Sequence, residues 1–432
     1  MHSDVNRALF DYISHSPTAF HTVSHSVSLL RQSGFEELHE NGVWSLMPGK
    51  GYFVTRNRSS LIAFRVPESG FTGFMIAAAH GDSPTFKIRN NAEVCDGKYV
   101  RLSVEKYGGM LCSSWMDRPL SAAGRLLLRS PSGVRTELVD FREVCCLIPN
   151  VAIHMNRAAN DGQAYNAAVD MLPLLGTDTQ KGSFRARAAA LCGASEEDVL
   201  SADLFVYNPQ GGVQWGDMIS APRLDDLQCA FSALTALLNA KGGRALPVCC
   251  IFDNEEVGSE TKQGAASTFL ADTLHRVSLA LGLDEEEYLR RVSCSFLASC
   301  DNAHAVHPNH PEYADKNNAP VPNGGIVIKY NAAQKYTTDA VSAAIFRTVC
   351  EKAGVKTQEY ANRADLPGGS TLGNISNTQV SLNAVDIGLA QLAMHSAMET
   401  AGAQDTESMI RALTVLFESS LVTEADGNYA IE

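Results

Sequence analysis

The run Asp253-Asn254-Glu255-Glu256-Val257-Gly258-Ser259 sets two adjacent carboxylates just after the apolar stretch Leu246–Phe252. That stretch reads as a buried strand. Neighbouring acids at a strand end repel each other and resist burial. A divalent cation is the commonest way to offset this cost. One carboxylate binds the ion, and the other is free to take a proton from water held there. Taken alone, the run fits the start of a solvated loop equally well.

Metal-type side chains recur at or near other strand ends. His80 closes the apolar run Phe74–Ala79 and is followed by Gly81-Asp82. A carboxylate two residues past a ligand histidine can hold its second ring nitrogen or its backbone. Asp301 follows Phe296–Cys300, and Asp225 follows Ser220–Leu224 at the start of a helix. The ordinary role of an aspartate there is a helix N-cap. His395 sits in Leu392-Ala393-Met394-His395-Ser396, where a satisfied core histidine is the plain alternative. With Glu256 these make five candidate ligands, and open α/β sheets gather ligands at the carboxyl ends of their strands. Five oxygen and nitrogen donors suit two ions that share one carboxylate at a separation of about 3.5–4 Å. Mixed histidine and carboxylate sets suit zinc, with manganese or cobalt tolerated.

The elements that must position these residues follow from hydrophobic spacing. The first thirty or so residues read as helical, and Leu61–Val66 and Gly73–Ala79 as strands. From about Ala92 to Gln214 short alternating runs appear, among them Tyr99–Val104 and the pair Arg125–Leu128 and Val134–Val139 around a Pro131-Ser132-Gly133 turn. After Ala221 strands and helices alternate. Helices are expected over Asp225–Asn239, Ala265–Leu281 and from about Glu407 to Ser419. Strands are expected over Leu246–Phe252, Val292–Ser299, Gly325–Lys329 and Val380–Val385. The expected architecture is α/β: a mostly parallel sheet flanked by helices, built from residues 1–91 and 220–432, with a β-rich insertion over 92–219.

The chain has 432 residues, too many for one ordinary core. Its net charge of −13 argues against nucleic acid and anionic membrane as partners. The 11 cysteines include no CxxC pair, so reduced thiols and a cytoplasmic setting are expected, without a structural thiolate zinc site. No stretch reads as a signal peptide or is long enough to span a bilayer.

Over essentially its full length the chain resembles the aspartyl aminopeptidases, a family of dinuclear metallo-aminopeptidases. The resemblance rests on Ala79-His80-Gly81-Asp82-Ser83-Pro84, Pro222-Arg223-Leu224-Asp225-Asp226-Leu227, Asp253–Ser259, Asp301–Asn309, Gly369-Ser370-Thr371 and Met394-His395-Ser396, in that order. It implies a zinc-exopeptidase-like fold with a dimerisation or lid domain in the insertion. It implies that Asp225 bridges two metals, that His80 and Asp301 complete one site, and that Glu256 and His395 complete the other. Glu255 is then the general base and Asp82 the residue that orients His80. His154 reads from this chain alone as a buried structural histidine; the resemblance has it reach a partner subunit's site and stabilise the oxyanion. Lys329 aligns with a lysine near the acidic side chain of the substrate, although a solvated strand-end lysine is the plain reading. Tyr336, Ser370 and Thr371 would line the pocket. His304 and His307 would support the ligands or be purely structural, since five ligands already fill both positions. The family assembles as tetrahedral dodecamers with enclosed sites, which implies a homo-oligomer built from dimers and peptide substrates.

Three positions depart from the family pattern. Asp226 stands where asparagine is frequent, Gly368 where cysteine is frequent, and Asn156-Arg157 where Asp-Arg is usual. None is an expected ligand, so hydrolysis should survive. The expected activity is release of N-terminal residues, preferentially Asp or Glu, by hydroxide attack at a dinuclear zinc centre. A broad or neutral specificity and a non-catalytic peptide-binding assembly protein are the alternatives.

Overall fold

Strands Phe74–His80, Leu246–Phe252 and Phe296–Cys300 are buried along their whole length. Strands covered on both faces carry such unbroken apolar runs. In the computed structural model, which describes residues 2–432, these three lie side by side and parallel. They centre a nine-stranded sheet in the order Glu36–Leu38, Gly51–Arg56, Ser60–Arg65, Leu246–Phe252, Phe74–His80, Phe296–Cys300, Asn383–Gly388, Ile326–Tyr330 and Thr357–Ala361. Five of the eight neighbouring pairs are parallel, so the expected mostly parallel sheet is what forms.

Alternation along each strand supplies two cores. Met75, Ala77 and Ala79 face the helices Leu224–Asn239, Ala340–Ala353 and Asp405–Glu418. Phe74, Ile76 and Ala78 face Phe269–Ala280. The parallel register pairs Phe252 with His80 and Ser299 with Ala78. One edge of the sheet therefore carries His80, Asp253–Glu256 and Asp301 at a common level.

The second layer is a seven-stranded antiparallel sheet running from Thr85 to Tyr207. Its strand Val199–Tyr207 pairs with both Thr85–Cys95 and Pro119–Ser130, which closes a small barrel and leaves few free edges. The first barrel strand, Thr85–Cys95, runs across the 91/92 boundary drawn from sequence. The expected hairpin forms, with Ser130 paired to Gly133 across Pro131-Ser132. A third sheet of five short strands joins Met218–Ala221 to Glu399–Gly402 beside the metal-type residues. The barrel meets the main body through polar bonds, including Arg125 Nη1 to Asn57 O at 2.8 Å and Asn208 Nδ2 to Ala397 O at 2.8 Å.

Several expected elements shift. The strand placed from Val292 begins at Phe296, because Val292 and Ser293 finish a helix, Glu285–Ser293. Asp284 caps that helix, accepting from Glu287 N; acids fill its first turn and arginines its last, as the helix dipole favours. The helix expected over Ala265–Leu281 is Phe269–Ala280, and the strand expected at Val380–Val385 is Asn383–Gly388. Asp225 is no N-cap. Arg223 holds that position, and Asp225 and Asp226 have non-helical backbone angles at the helix start. All 11 cysteines are unpaired, and among the described residues no helix is long and apolar enough to cross a membrane.

Candidate metal centre

The five metal-type residues converge. Asp225 is buried, with its two oxygens facing opposite ways. Oδ1 lies 3.4 Å from His80 Nε2, and Oδ2 lies 3.4 Å from His395 Nε2. His395 Nε2 is also 3.3 Å from Glu256 Oε2, and His80 Nε2 is 3.9 Å from Asp301 Oδ1. Two donors on one tetrahedral ion with bonds of about 2.0–2.1 Å stand about 3.3–3.4 Å apart. His395 stands at that spacing from Asp225 and Glu256, as does His80 from Asp225, and the His80 and Asp301 pair is slightly wider. Asp225 Oδ1 and Glu256 Oε1 are buried without a hydrogen bond. Unpartnered buried carboxylate oxygens are costly, and a cation is the group that would satisfy them. The residues present therefore fit divalent ions.

The electrostatics point the same way. Burial alone would lower the pKa of His80, but Asp225, Asp301 and Asp82 raise it well above the usual histidine value. His395 is likewise raised, to about 9, against the effect of burial, by Asp225 above all. Burial raises Glu256 well above, and Glu255 to about 8. A cluster this hungry for protons attracts divalent cations for the same reason.

The surrounding residues hold the cluster in place. Asp82 O lies 3.1 Å from His80 Nδ1, which fixes the ring and aims Nε2 inward. Its carboxylate accepts from Glu255 N and Glu256 N, both at 3.2 Å, and from the Tyr107 hydroxyl at 2.7 Å. Asp82 thus orients more than the histidine expected from sequence. Asp226, the departure beside Asp225, is fully buried and accepts from His80 N at 3.2 Å. Glu399 is also buried, accepting from Asp225 N at 3.0 Å and His395 N at 2.7 Å. Sequence reasoning missed Glu399 and Tyr107. The acid four residues after His395 was a usable signal for Glu399; nothing local marked Tyr107.

Glu255 projects next to this group, with Oε2 4.0 Å from His80 Nε2. Among the described residues its carboxylate accepts no hydrogen bond. Lys329 is not the solvated lysine of the plain reading: it is 2% exposed, because its strand lies inside the sheet. Its Nζ donates to Asp301 O at 2.9 Å and Asp301 Oδ2 at 3.2 Å, and lies 5.1 Å from the Tyr336 ring centre. Lys329 and His80 hold Asp301 well below the usual carboxylate range despite its burial. Thr371 is buried and helps to lower Asp301, while Ser370 is exposed and bonds Asn374.

His304, His307 and His310 border a cavity of about 260 Å³ with Tyr360, Asn362 and Arg363. The rings of His307 and His310 are tilted against each other at 5.3 Å between centres, both exposed, and neither joins the ligand groups. A side chain at Gly368 would put its Cβ 2.5 Å from Asn362 Oδ1, so the small residue leaves room there. His154 is not a buried structural histidine. It lies in the exposed loop Val151–Met155, in which Ile153 and Met155 also face outward. Among the described residues nothing joins His154 to the cluster.

Comparison with known proteins shows the family of the chain. The family described as Aminopeptidase I zinc metalloprotease (M18) matches residues 12–417. A probable M18 family aminopeptidase 2 of Clostridium acetobutylicum is 44% identical over 412 residues, covering 92% of this chain and 95% of that protein. The structure of the Ape4 and Nbr1 complex superposes with a TM-score of 0.93 at 30% identity, covering 96% of this chain and 86% of that one. The S. cerevisiae mApe1 dodecamer superposes with a TM-score of 0.83 at 27% identity over 96% of each chain. By a family match over nearly its whole length, and by relatives similar from end to end, the chain belongs to the M18 family of zinc metallo-aminopeptidases.

Proposed function

We propose that the protein removes N-terminal residues, preferentially Asp or Glu, from peptides at a centre of two divalent ions. The observation that carries this reading is the opposed pair of Asp225 oxygens, one facing His80 and one facing His395. Asp225 would bridge, His80 and Asp301 would complete one position, and Glu256 and His395 the other. Zinc suits this donor set best, with manganese or cobalt accepted. When bound, the ions would polarise the scissile carbonyl and acidify water.

The chain's own residues do the rest. Glu255, free of protein hydrogen bonds, takes the proton from the attacking water and passes it to the leaving amine. Asp82 fixes the backbone from which Glu255 and Glu256 project. Two of the three N–H donors of Lys329 go to Asp301, which leaves one for an acidic substrate side chain. Tyr336, Thr371 and Ser370 flank that approach. The same two bonds favour a second reading, in which Lys329 serves Asp301 and specificity is broad.

The insertion expected over 92–219, whose barrel runs from Thr85 to Tyr207, would serve as the lid and dimerisation domain. The exposed apolar residues around His154, with Met155 83% exposed, suit cover by a second copy. His154 would then stabilise the oxyanion in the partner's site. A homo-oligomer built from dimers would enclose the sites and admit only peptides; the similar yeast mApe1 structure is a dodecamer. The proposed setting is the cytoplasm.

The test is hydrolysis of matched Asp-, Glu- and Leu-initiated peptides by protein loaded with zinc or manganese, with a chelator control. Chelator-sensitive release fastest for Asp or Glu supports the proposal. Leu fastest keeps the mechanism and discards the acidic preference. No release with either metal leaves the peptide-binding alternative standing.

A further inference from the structure

We infer that Glu399 is the positioning residue of the metal centre: its one carboxylate clamps the main chain of both Asp225 and His395 and so sets the distance between them. Oε2 accepts from Asp225 N at 3.0 Å and Oε1 from His395 N at 2.7 Å. Each oxygen takes one backbone donor. The two residues are 170 positions apart in sequence, on a helix start and on a loop. This carboxylate links them side by side.

Both backbones need such a tie. His395 has φ of +66°, and Ala393 two residues earlier has φ of +56°. Residues other than glycine hold the left-handed region only when their surroundings enforce it. Asp225 sits in the non-helical start of its helix. Glu399 itself is fixed by pairing opposite Ala221, at the end of Met218–Ala221. That strand leads through Pro222, Arg223 and Leu224 to Asp225. One rigid residue thus indexes both sides of the gap between Asp225 Oδ2 and His395 Nε2, which measures 3.4 Å. Glu399 holds two ligands of the position formed by Asp225, Glu256 and His395 but only the shared Asp225 of the position completed by His80 and Asp301, so the effect of losing it is uneven. It falls hardest on the ion position shared by Asp225, Glu256 and His395.

This inference rests on the two-ion reading above, and the experiment separates their failures. Wild type, Glu399→Gln and Asp405→Asn are stripped with chelator and titrated with cobalt, following uptake by equilibrium dialysis and visible absorbance. Asp405 is the matched control: another buried carboxylate that accepts two backbone N–H bonds, from Asn323 and Gly325. Expected is uptake of two ions by wild type and by the Asp405 variant. In Glu399→Gln one ion should bind roughly 10–100-fold more weakly, the usual cost of losing a residue that orients a ligand, and the other, which shares only Asp225, should weaken clearly less. Two ions bound by Glu399→Gln with unchanged affinities overturn the clamp. So does equal weakening in the Asp405 variant, which would mark a general packing effect. If wild type takes up one ion, the two-ion reading falls. The clamp then stands if Glu399→Gln weakens that ion and falls if it does not. Should Glu399→Gln fail to fold, Glu399→Asp, too short to reach both amides, is judged by the same criteria.

Discussion

Replacing Glu255 by Gln separates the two jobs a carboxylate can do here. By distance alone Glu255 is a candidate ligand: its Oε2 stands 4.0 Å from His80 Nε2, against 3.9 Å for Asp301 Oδ1. His80, Glu255 and Glu256 even form a compact ligand group of their own. What distinguishes the two acids is their bonding. Asp301 is anchored through Oδ2 by Lys329, which leaves Oδ1 fixed toward His80. The Glu255 carboxylate has no such anchor and can swing between water and leaving group. A general base contributes about 10²- to 10⁴-fold to the rate, or roughly 2.7–5.4 kcal/mol at 1.36 kcal/mol per tenfold. Glu255→Gln keeps the shape, removes the proton acceptor and breaks no hydrogen bond of the side chain. Turnover of an Asp-initiated peptide should therefore fall about 10²- to 10⁴-fold, with metal content, KM and melting temperature near wild type. Steady-state kinetics and metal analysis on the same preparation read both effects. Loss of an ion in the variant, or activity within tenfold of wild type, would refute the assignment of Glu255 as base.

Lys329→Met removes the counter-charge of buried Asp301 and the donor offered to an acidic substrate. One hydrogen bond to a charged group is worth about 1.5–3 kcal/mol, so the preference for Asp over Leu in kcat/KM should fall roughly 10- to 150-fold; an unchanged ratio would discard the specificity role. His154→Ala should slow turnover about 10²- to 10³-fold, as removal of an oxyanion donor does. Mixing His154→Ala with Glu255→Gln subunits should restore part of the activity, since one hybrid site then carries both intact residues; no recovery on mixing would place His154 outside the partner's site. Asp405, raised to about 6 by burial, makes the fold more stable at low pH. Between pH 3.8 and about 6 the folded chain keeps a proton that the unfolded chain has released, so stability falls as pH rises through that window, by about 3 kcal/mol in all. Asp405→Asn should flatten this slope in denaturant melts at pH 4 and pH 7, and a slope equal to wild type would refute the assignment.

Chemistry-bearing residues were legible because strand ends are legible. The short unbroken apolar runs that precede His80, Asp253–Glu256 and Asp301 read as strands buried on both faces, which deliver their polar successors to the carboxyl end of the sheet. The barrel hairpins were legible from alternation and from Pro131-Ser132. The helix Glu285–Ser293 escaped because most of its residues are charged, and its signal lies in the Asp284 cap and the charge order of its turns. The state of Lys329 was decided by tertiary structure: the sequence shows a lysine ending an apolar strand, and only the neighbouring Asp301 makes its burial tolerable. Asp225 was likewise ambiguous as a cap or a ligand until the departure of its backbone from the helix turned its two oxygens toward histidines more than 300 residues apart. Sequence determined which side chains reach the edge of the sheet, because periodicity of two is a local property. Their spacing, the carboxylates that hold them and the exposure of His154 are sums over contacts distant in the chain, and those exist only once the chain has folded.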